Sequence, residues 1–138
     1  MTLGIMQPYF FPYIGYWQLV KAVDKYVVYD DVAYMKGGWI NRNNFLINGQ
    51  EKLFTIQLNG TSSYKNINEI EIKDDFSAFR KMLQINYGRA PFFKDCRQLI
   101  ENILSYENRN LGMFLFNSIK LMAEYLGFET EIVLSSEI

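Results

Sequence analysis

A chain of 138 residues, 49% hydrophobic and 21% charged, has the size and apolar content of one folded domain, which excludes disorder over most of its length. A net charge of −1 gives no global attraction for nucleic acid or an anionic membrane. A single cysteine, Cys96, excludes an internal disulfide and fits a reducing compartment, while the lack of any histidine excludes a Ser–His pair and any histidine-containing zinc site.

The titrating groups left for chemistry are Asp, Glu, Lys, Tyr, Arg and Cys96. No apolar stretch reaches membrane-spanning length and the N-terminus has no basic leader pattern, so the expectation is a cytoplasmic chain without membrane insertion.

In chain order, Leu3-Gly4-Ile5-Met6 predicts a short buried strand. Pro8 and Pro12 then bracket Tyr9-Phe10-Phe11, which excludes helix interior there. Trp17, Val20 and the Leu19/Val23 pair recur at helical spacing, predicting a helix over Ile14–Val23. Tyr26–Tyr29 is β-branched and aromatic and ends in Asp30-Asp31, a second strand. Strand, turn, helix and strand within thirty residues favour a parallel βαβ unit.

Asn48-Gly49 lies between the strand-like runs Asn43–Ile47 and Lys52–Leu58, the signature of a hairpin. Asn59–Asn66 is a polar loop and Glu69–Ile72 a short strand. Three helices follow. The first spans Phe76–Tyr87, with Asp74 or Asp75 as cap and Gly88 as stop. The second comes after Pro91 and carries Leu99, Ile100, Ile103 and Leu104, and the third runs from Asn110 to Gly127. Thr130–Leu134 reads as a last strand.

Three clusters carry the candidate chemistry. The segment Gln7–Trp17 places Tyr9, Phe10, Tyr13 and Tyr16 between a strand and a helix, where a parallel sheet binds ligands at its carboxyl edge. Its helix N-terminus favours anions, and Gly15 admits a close approach there. The same loop would also serve as a rigid plug closing the core. Asp30-Asp31 at the end of the second strand offers a base, a Mg²⁺ ligand or a partner for ribose hydroxyls, or simply a cap and turn. Trp39-Ile40-Asn41-Arg42-Asn43 supplies donors for phosphate, carboxylate or sugar oxygens, and Lys36 beside Gly37-Gly38 is in reach of a phosphate. Cys96 reads as structural or simply exposed rather than nucleophilic.

Met6 to Tyr16, then Tyr29-Asp30-Asp31-Val32, then Gly38 to Asn43, together with Tyr87, Ala90–Phe93 and Leu134-Ser135-Ser136, resemble the WbqC-like protein family over essentially the whole chain. The resemblance implies a bacterial enzyme of surface-polysaccharide (O-antigen) biosynthesis, a transferase placing a glycyl or other small acyl group on a nucleotide-linked amino sugar. Typical members are longer, which implies that a C-terminal part is missing after residue 138. Pro12-Tyr13-Ile14-Gly15-Tyr16 also has the placement of the His-x-Gly-His turn of nucleotidylyltransferases. Tyrosine with its ordinary pKa near 10 does not replace an imidazolium, so that chemistry would be altered or lost.

The fold class expected is α/β, a single domain over 1–138 with a Rossmann-like parallel or mixed sheet, an inserted β-hairpin and a helical second half. Asp30 or Asp31 is the expected base. The expected substrate-binding set is Gln7, Tyr9, Phe10, Tyr13, Gly15, Tyr16, Lys36, Trp39, Asn41, Arg42 and Asn43, with donor phosphates at the first helix N-terminus against Arg42. The partner is a small molecule such as a nucleotide sugar; no resident metal is expected and no cofactor is named. The alternative is a non-catalytic binding or scaffold module of a polysaccharide assembly complex. Too few elements remain to cover the second sheet face, so an apolar patch is expected beside the last strand near Val133, covered by a second copy in a homodimer.

Overall fold

A computed structural model describes residues 1–138. The chain is α/β: a three-stranded sheet of β1 (Leu3–Met6), β2 (Lys25–Val28) and β7 (Glu131–Leu134) is parallel throughout, with β2 in the middle. Helix α1 (Ile14–Ala22) crosses from β1 to β2, forming the expected βαβ unit. Between β2 and the helical half lie a hairpin, β3 (Arg42–Ile47) with β4 (Gln50–Thr55), and a two-residue pair, β5 (Leu58–Asn59) with β6 (Glu71–Ile72). Helices α2 (Ser77–Tyr87), α3 (Phe93–Leu104) and α4 (Leu111–Tyr125) follow.

Local chemistry accounts for these boundaries. Asn48 and Gly49 both adopt positive φ, 51° and 75°, as a tight two-residue hairpin turn requires. Asp74 and Asp75 accept from the Phe76 and Ser77 amides, both at 2.9 Å, at the start of α2. Asn110 caps α4 by accepting from the Met113 amide at 3.1 Å. The strand expected over Glu69–Ile72 is only half present. Its first part is a 3₁₀ turn closed by an Asn66–Glu69 capping box, and only Glu71–Ile72 pairs.

Two buried clusters meet along α4. In register across the sheet, Gly4, Tyr26 and Ile132 share one face with Met6, Val28 and Leu134. Tyr26, Val28 and Leu134 pack there under Tyr16 and Val20 of α1 and Ile119 of α4. The larger cluster holds the hairpin against α2, α3 and the start of α4, through residues including Phe10, Ile56, Phe79, Ile103, Leu111 and Phe114.

The opposite sheet face corrects two expectations. Leu3 and Ile5 of β1 are 54% and 53% exposed, so β1 is an edge strand with one open face rather than a buried one. The open apolar side chains therefore centre on β1 and not on β7, while Val27 in the middle strand is buried between them. α4 alone of the last three helices joins the sheet cluster, because α2 and α3 are committed to the hairpin side.

Phe79 is the hub of that side. Its ring lies 5.3 Å from Phe10, 5.6 Å from Phe11, 5.3 Å from Phe45 and 4.6 Å from Phe54, centroid to centroid. It thus joins α2 to the loop after β1 and to both hairpin strands. Phe79→Ala should lower the free energy of unfolding by about 3–5 kcal/mol, measured by urea titration. A loss under about 1 kcal/mol would show that the aromatic cluster does not hold these segments together.

Candidate functional site

In a parallel sheet the segments leaving the strand ends converge on one edge. Here those segments are Gln7–Tyr13 after β1, Asp30-Asp31 after β2 and Ser135-Ser136 after β7.

The first segment is fastened to the third sequence cluster. The Phe10 amide donates to the Ile40 carbonyl at 3.1 Å. The Asn43 amide group donates to the Phe10 carbonyl at 3.0 Å and to the Phe11 carbonyl at 2.6 Å. Phe11 sits at φ 47°, a left-handed conformation that costs a phenylalanine on the order of 1 kcal/mol or more and persists only when its surroundings hold it. The Trp17 indole donates to the Pro12 carbonyl at 3.1 Å and closes the loop from the helix side.

This fastening makes a cleft of about 290 Å³ between Tyr9, Pro12 and Tyr13 on one segment and Trp39, Asn43 and Asn44 on the other. Tyr13 is 71% exposed and Trp39 45%. Gly15 does admit a close approach, but the group that approaches is the Tyr13 ring: a Cβ there would lie 2.5 Å from it. Gln7 is half-buried, and its carbonyl accepts from the Tyr16 hydroxyl at 2.9 Å.

Burial withdraws three expected contacts from the cleft, and hydrogen bonding commits a fourth. Phe10 is fully buried among Phe11, Phe54, Phe76 and Phe79, so the stacking wall consists of Tyr9 and Tyr13 without it. Tyr16 is buried as well; desolvation first, then neighbouring Tyr26, pushes its phenol far above the ordinary value, and burial raises Tyr26 likewise. Both stay neutral and neither serves as a base. Asn41 is buried, donating to the Ile56 carbonyl and accepting from the Tyr34 hydroxyl, both at 3.0 Å. Asn43 has both amide hydrogens committed to the loop carbonyls and its oxygen committed to the Asn44 amide at 2.8 Å, so it positions the cleft rather than binding in it.

Arg42 opens on a different cleft. Its Nε donates to the Gly38 carbonyl at 2.9 Å, its Nη2 donates to the Gly37 carbonyl, and its guanidinium lies 5.5 Å from the centroid of the Trp39 ring. Gly37 turns that carbonyl inward at φ 81°, a conformation other residues resist. Trp39 thus lines the aromatic cleft, and Arg42 lines a second one of about 580 Å³ with Lys36. The phosphate site expected between Arg42 and the start of α1 is therefore not assembled. Arg42 lines no part of the cleft beside that helix, and Tyr13 covers Gly15.

The two carboxylates differ sharply. Asp30 is buried: its carboxylate accepts from the Ser136 amide at 3.1 Å and the Ser136 hydroxyl at 2.7 Å, and its own amide donates to the Ser135 hydroxyl at 3.2 Å. Asp31 is exposed and also accepts from the Ser135 hydroxyl. Ser135 Oγ lies 3.1 Å from Asp30 as well, but a hydroxyl has one proton to donate, and Asp30 is already satisfied by Ser136. The geometry makes Asp30 a lock between the ends of β2 and β7, and leaves Asp31 as the accessible carboxylate. Sequence matching marked Ser135-Ser136 without revealing this role; the contact spans 105 residues.

Comparison with known proteins agrees with the motifs. The model of the WbqC-like protein family matches residues 7–138. A protein of Mycobacterium tuberculosis (strain ATCC 25618 / H37Rv) described as "Uncharacterized protein Rv1507c" is 29% identical over 135 residues, covering 94% of this chain. The match takes in 58% of that relative's length. No solved structure matches the chain significantly. No helix is long and apolar enough to cross a membrane.

Asp30→Ala should destabilise the fold by about 2–4 kcal/mol, since it removes hydrogen bonds to a charged, buried group, whereas Asp31→Ala should stay within about 0.5 kcal/mol. Parallel thermal melts test this. Equal midpoints for the two variants would show that Asp30 is no lock.

Proposed function

Because the chain belongs to the WbqC-like protein family, we propose that it is an enzyme of bacterial surface-polysaccharide biosynthesis acting on a nucleotide-activated sugar or a small acyl donor. The observation that carries this is the aromatic cleft at the carboxyl edge of the sheet, with one wall, Trp39, stacked on a cation. Tyr9, Tyr13 and Trp39 take the faces of a sugar or base ring. Arg42, fixed by two carbonyls and an indole, meets the negative charge of the donor.

Asp31 is the base in this reading. It is exposed at the sheet edge, its orientation is held by the Ser135 hydroxyl, and Asp30 fixes that serine in turn. In acyl transfer to an amino sugar, the amine nitrogen would form a bond to the acyl carbon of the donor, the donor's leaving group would depart with the bonding electron pair, and Asp31 would take the proton that the amine gives up. This division of labour replaces the histidine that the chain lacks.

A second reading rests on the exposure of Tyr13 and Trp39, which also suits a protein interface in an assembly complex. The two readings separate in a thermal-shift screen of nucleotides, nucleotide sugars and glycine derivatives, with and without Mg²⁺. The enzyme reading expects a saturable rise with one nucleotide-sugar class, on the order of 2–3 kcal/mol at a hundredfold excess over Kd. Tyr13→Ala and Arg42→Ala should remove that rise. No response from any class would contradict the enzyme and favour the scaffold.

A further inference from the structure

The second cleft brings together residues that are far apart in sequence. Lys36 comes from the segment before β3 and Arg42 from its first residue, and Lys73 and Thr61 come from the stretch between β5 and α2. Lys73 is set in place by its own backbone. Its amide donates to the Gln57 carbonyl at 2.9 Å, next to Ile72, whose side chain is buried and whose amide donates to the Arg109 carbonyl at 2.7 Å.

Three cations thus line one cleft of about 580 Å³, and none of its eleven lining residues is acidic. This is against the background of the chain, which carries 15 acidic and 14 basic residues. The two ion pairs in the molecule, Lys25–Glu131 and Arg80–Glu101, use none of the three. Asp74, next to Lys73, accepts from the Gln57 amide at 3.1 Å but forms no ion pair with any of the three; like charges gathered without an ion-pair partner repel one another, and holding them together costs stability unless something anionic joins them. The Arg42 guanidinium is held in place by the Gly37 and Gly38 carbonyls and the Trp39 ring before any ligand arrives. The other polar residues of the lining are neutral: Thr55, Gln57 and Thr61, with Tyr34 and Asn41, which are bonded to each other.

We infer that this cleft is a phosphate site in which Lys36, Arg42 and Lys73 divide the charge of a diphosphate. The inference rests on the ligand reading given above and extends it. Trp39 lines the aromatic cleft and Arg42 the cationic one, and the two side chains stack at 5.5 Å; in the extended reading a ring and a diphosphate of one ligand lie on either side of that contact. Phosphate binds here through side-chain cations, not at the start of α1, where the Tyr13 ring lies against Gly15.

Titration calorimetry with inorganic pyrophosphate at fixed ionic strength tests the cationic cleft alone. Wild-type chain should bind one pyrophosphate, and sulfate should compete only weakly. Lys73→Gln should weaken binding at least roughly tenfold, as loss of one charge-assisted contact does, and Lys73→Arg should restore most of it. Lys94→Gln, on α3 outside both clefts, should bind as wild type. Pyrophosphate binding that is absent, or that Lys73→Gln leaves unchanged, would overturn the inference.

A second arm separates the two proposals. A nucleoside diphosphate sugar should bind more tightly than pyrophosphate, and Tyr13→Ala should abolish that gain while leaving pyrophosphate affinity intact. Pyrophosphate binding with no gain from the ring would sink the nucleotide-sugar reading and keep the phosphate site. Nucleotide-sugar binding indifferent to Lys73→Gln would do the reverse.

Discussion

The candidate site depends on one carboxamide. Asn43 reaches from the start of β3 to the carbonyls of Phe10 and Phe11, and no other side chain joins the loop after β1 to the hairpin by hydrogen bonds. Those carbonyls point away from any regular ladder because Phe11 is at positive φ, and without Asn43 they would have to find water in a partly buried place. The bend it holds sends Phe10 inward to the aromatic hub at Phe79 and leaves Tyr9 and Tyr13 facing the cleft. Neighbouring aromatics in one short motif thereby take opposite tasks, one in the core and the others on the cleft wall.

The preceding residue in the chain works the other way. Arg42 and Asn43 are adjacent in β3, and alternation sends their side chains to opposite faces. Asn43 shapes the aromatic cleft, and Arg42 backs the cationic one, with Trp39 stacked between. A short strand start therefore sets two chemically unlike surfaces side by side. At the sheet edge the Asp30–Ser135–Asp31 chain gives an accessible carboxylate a fixed neighbour, an arrangement open to a protein without histidine.

Much of the fold was legible because its signals are local. Pro8 and Pro12, the Asn48-Gly49 turn, the Asn110 cap and the helical spacing of α2 to α4 each act within a few residues. The parallel pairing of β1 and β2 followed from the short crossover. Which aromatics face inward was not legible, since it turns on the left-handed Phe11 and on contacts with Phe79 nearly seventy residues later. The same holds for Asp30, whose partners lie at the far end of the chain, and for Lys73, which joins Lys36 and Arg42 only through the small β5–β6 pair. At Glu69–Ile72 apolar alternation suggests a strand, but the Asn66–Glu69 capping box favours a turn and leaves only Glu71–Ile72 to pair.

The claim that Asn43 holds the loop can be measured by native-state hydrogen exchange in the Asn43→Ala variant. The Phe10 amide, bonded to the Ile40 carbonyl, reports on the loop, and the Val28 amide reports on the sheet. The account expects Phe10 exchange to accelerate roughly thirtyfold, the effect of about 2 kcal/mol of lost local stability, with Val28 exchange changing much less. Phe10 exchange that is unchanged, or that rises only in step with Val28, would contradict it.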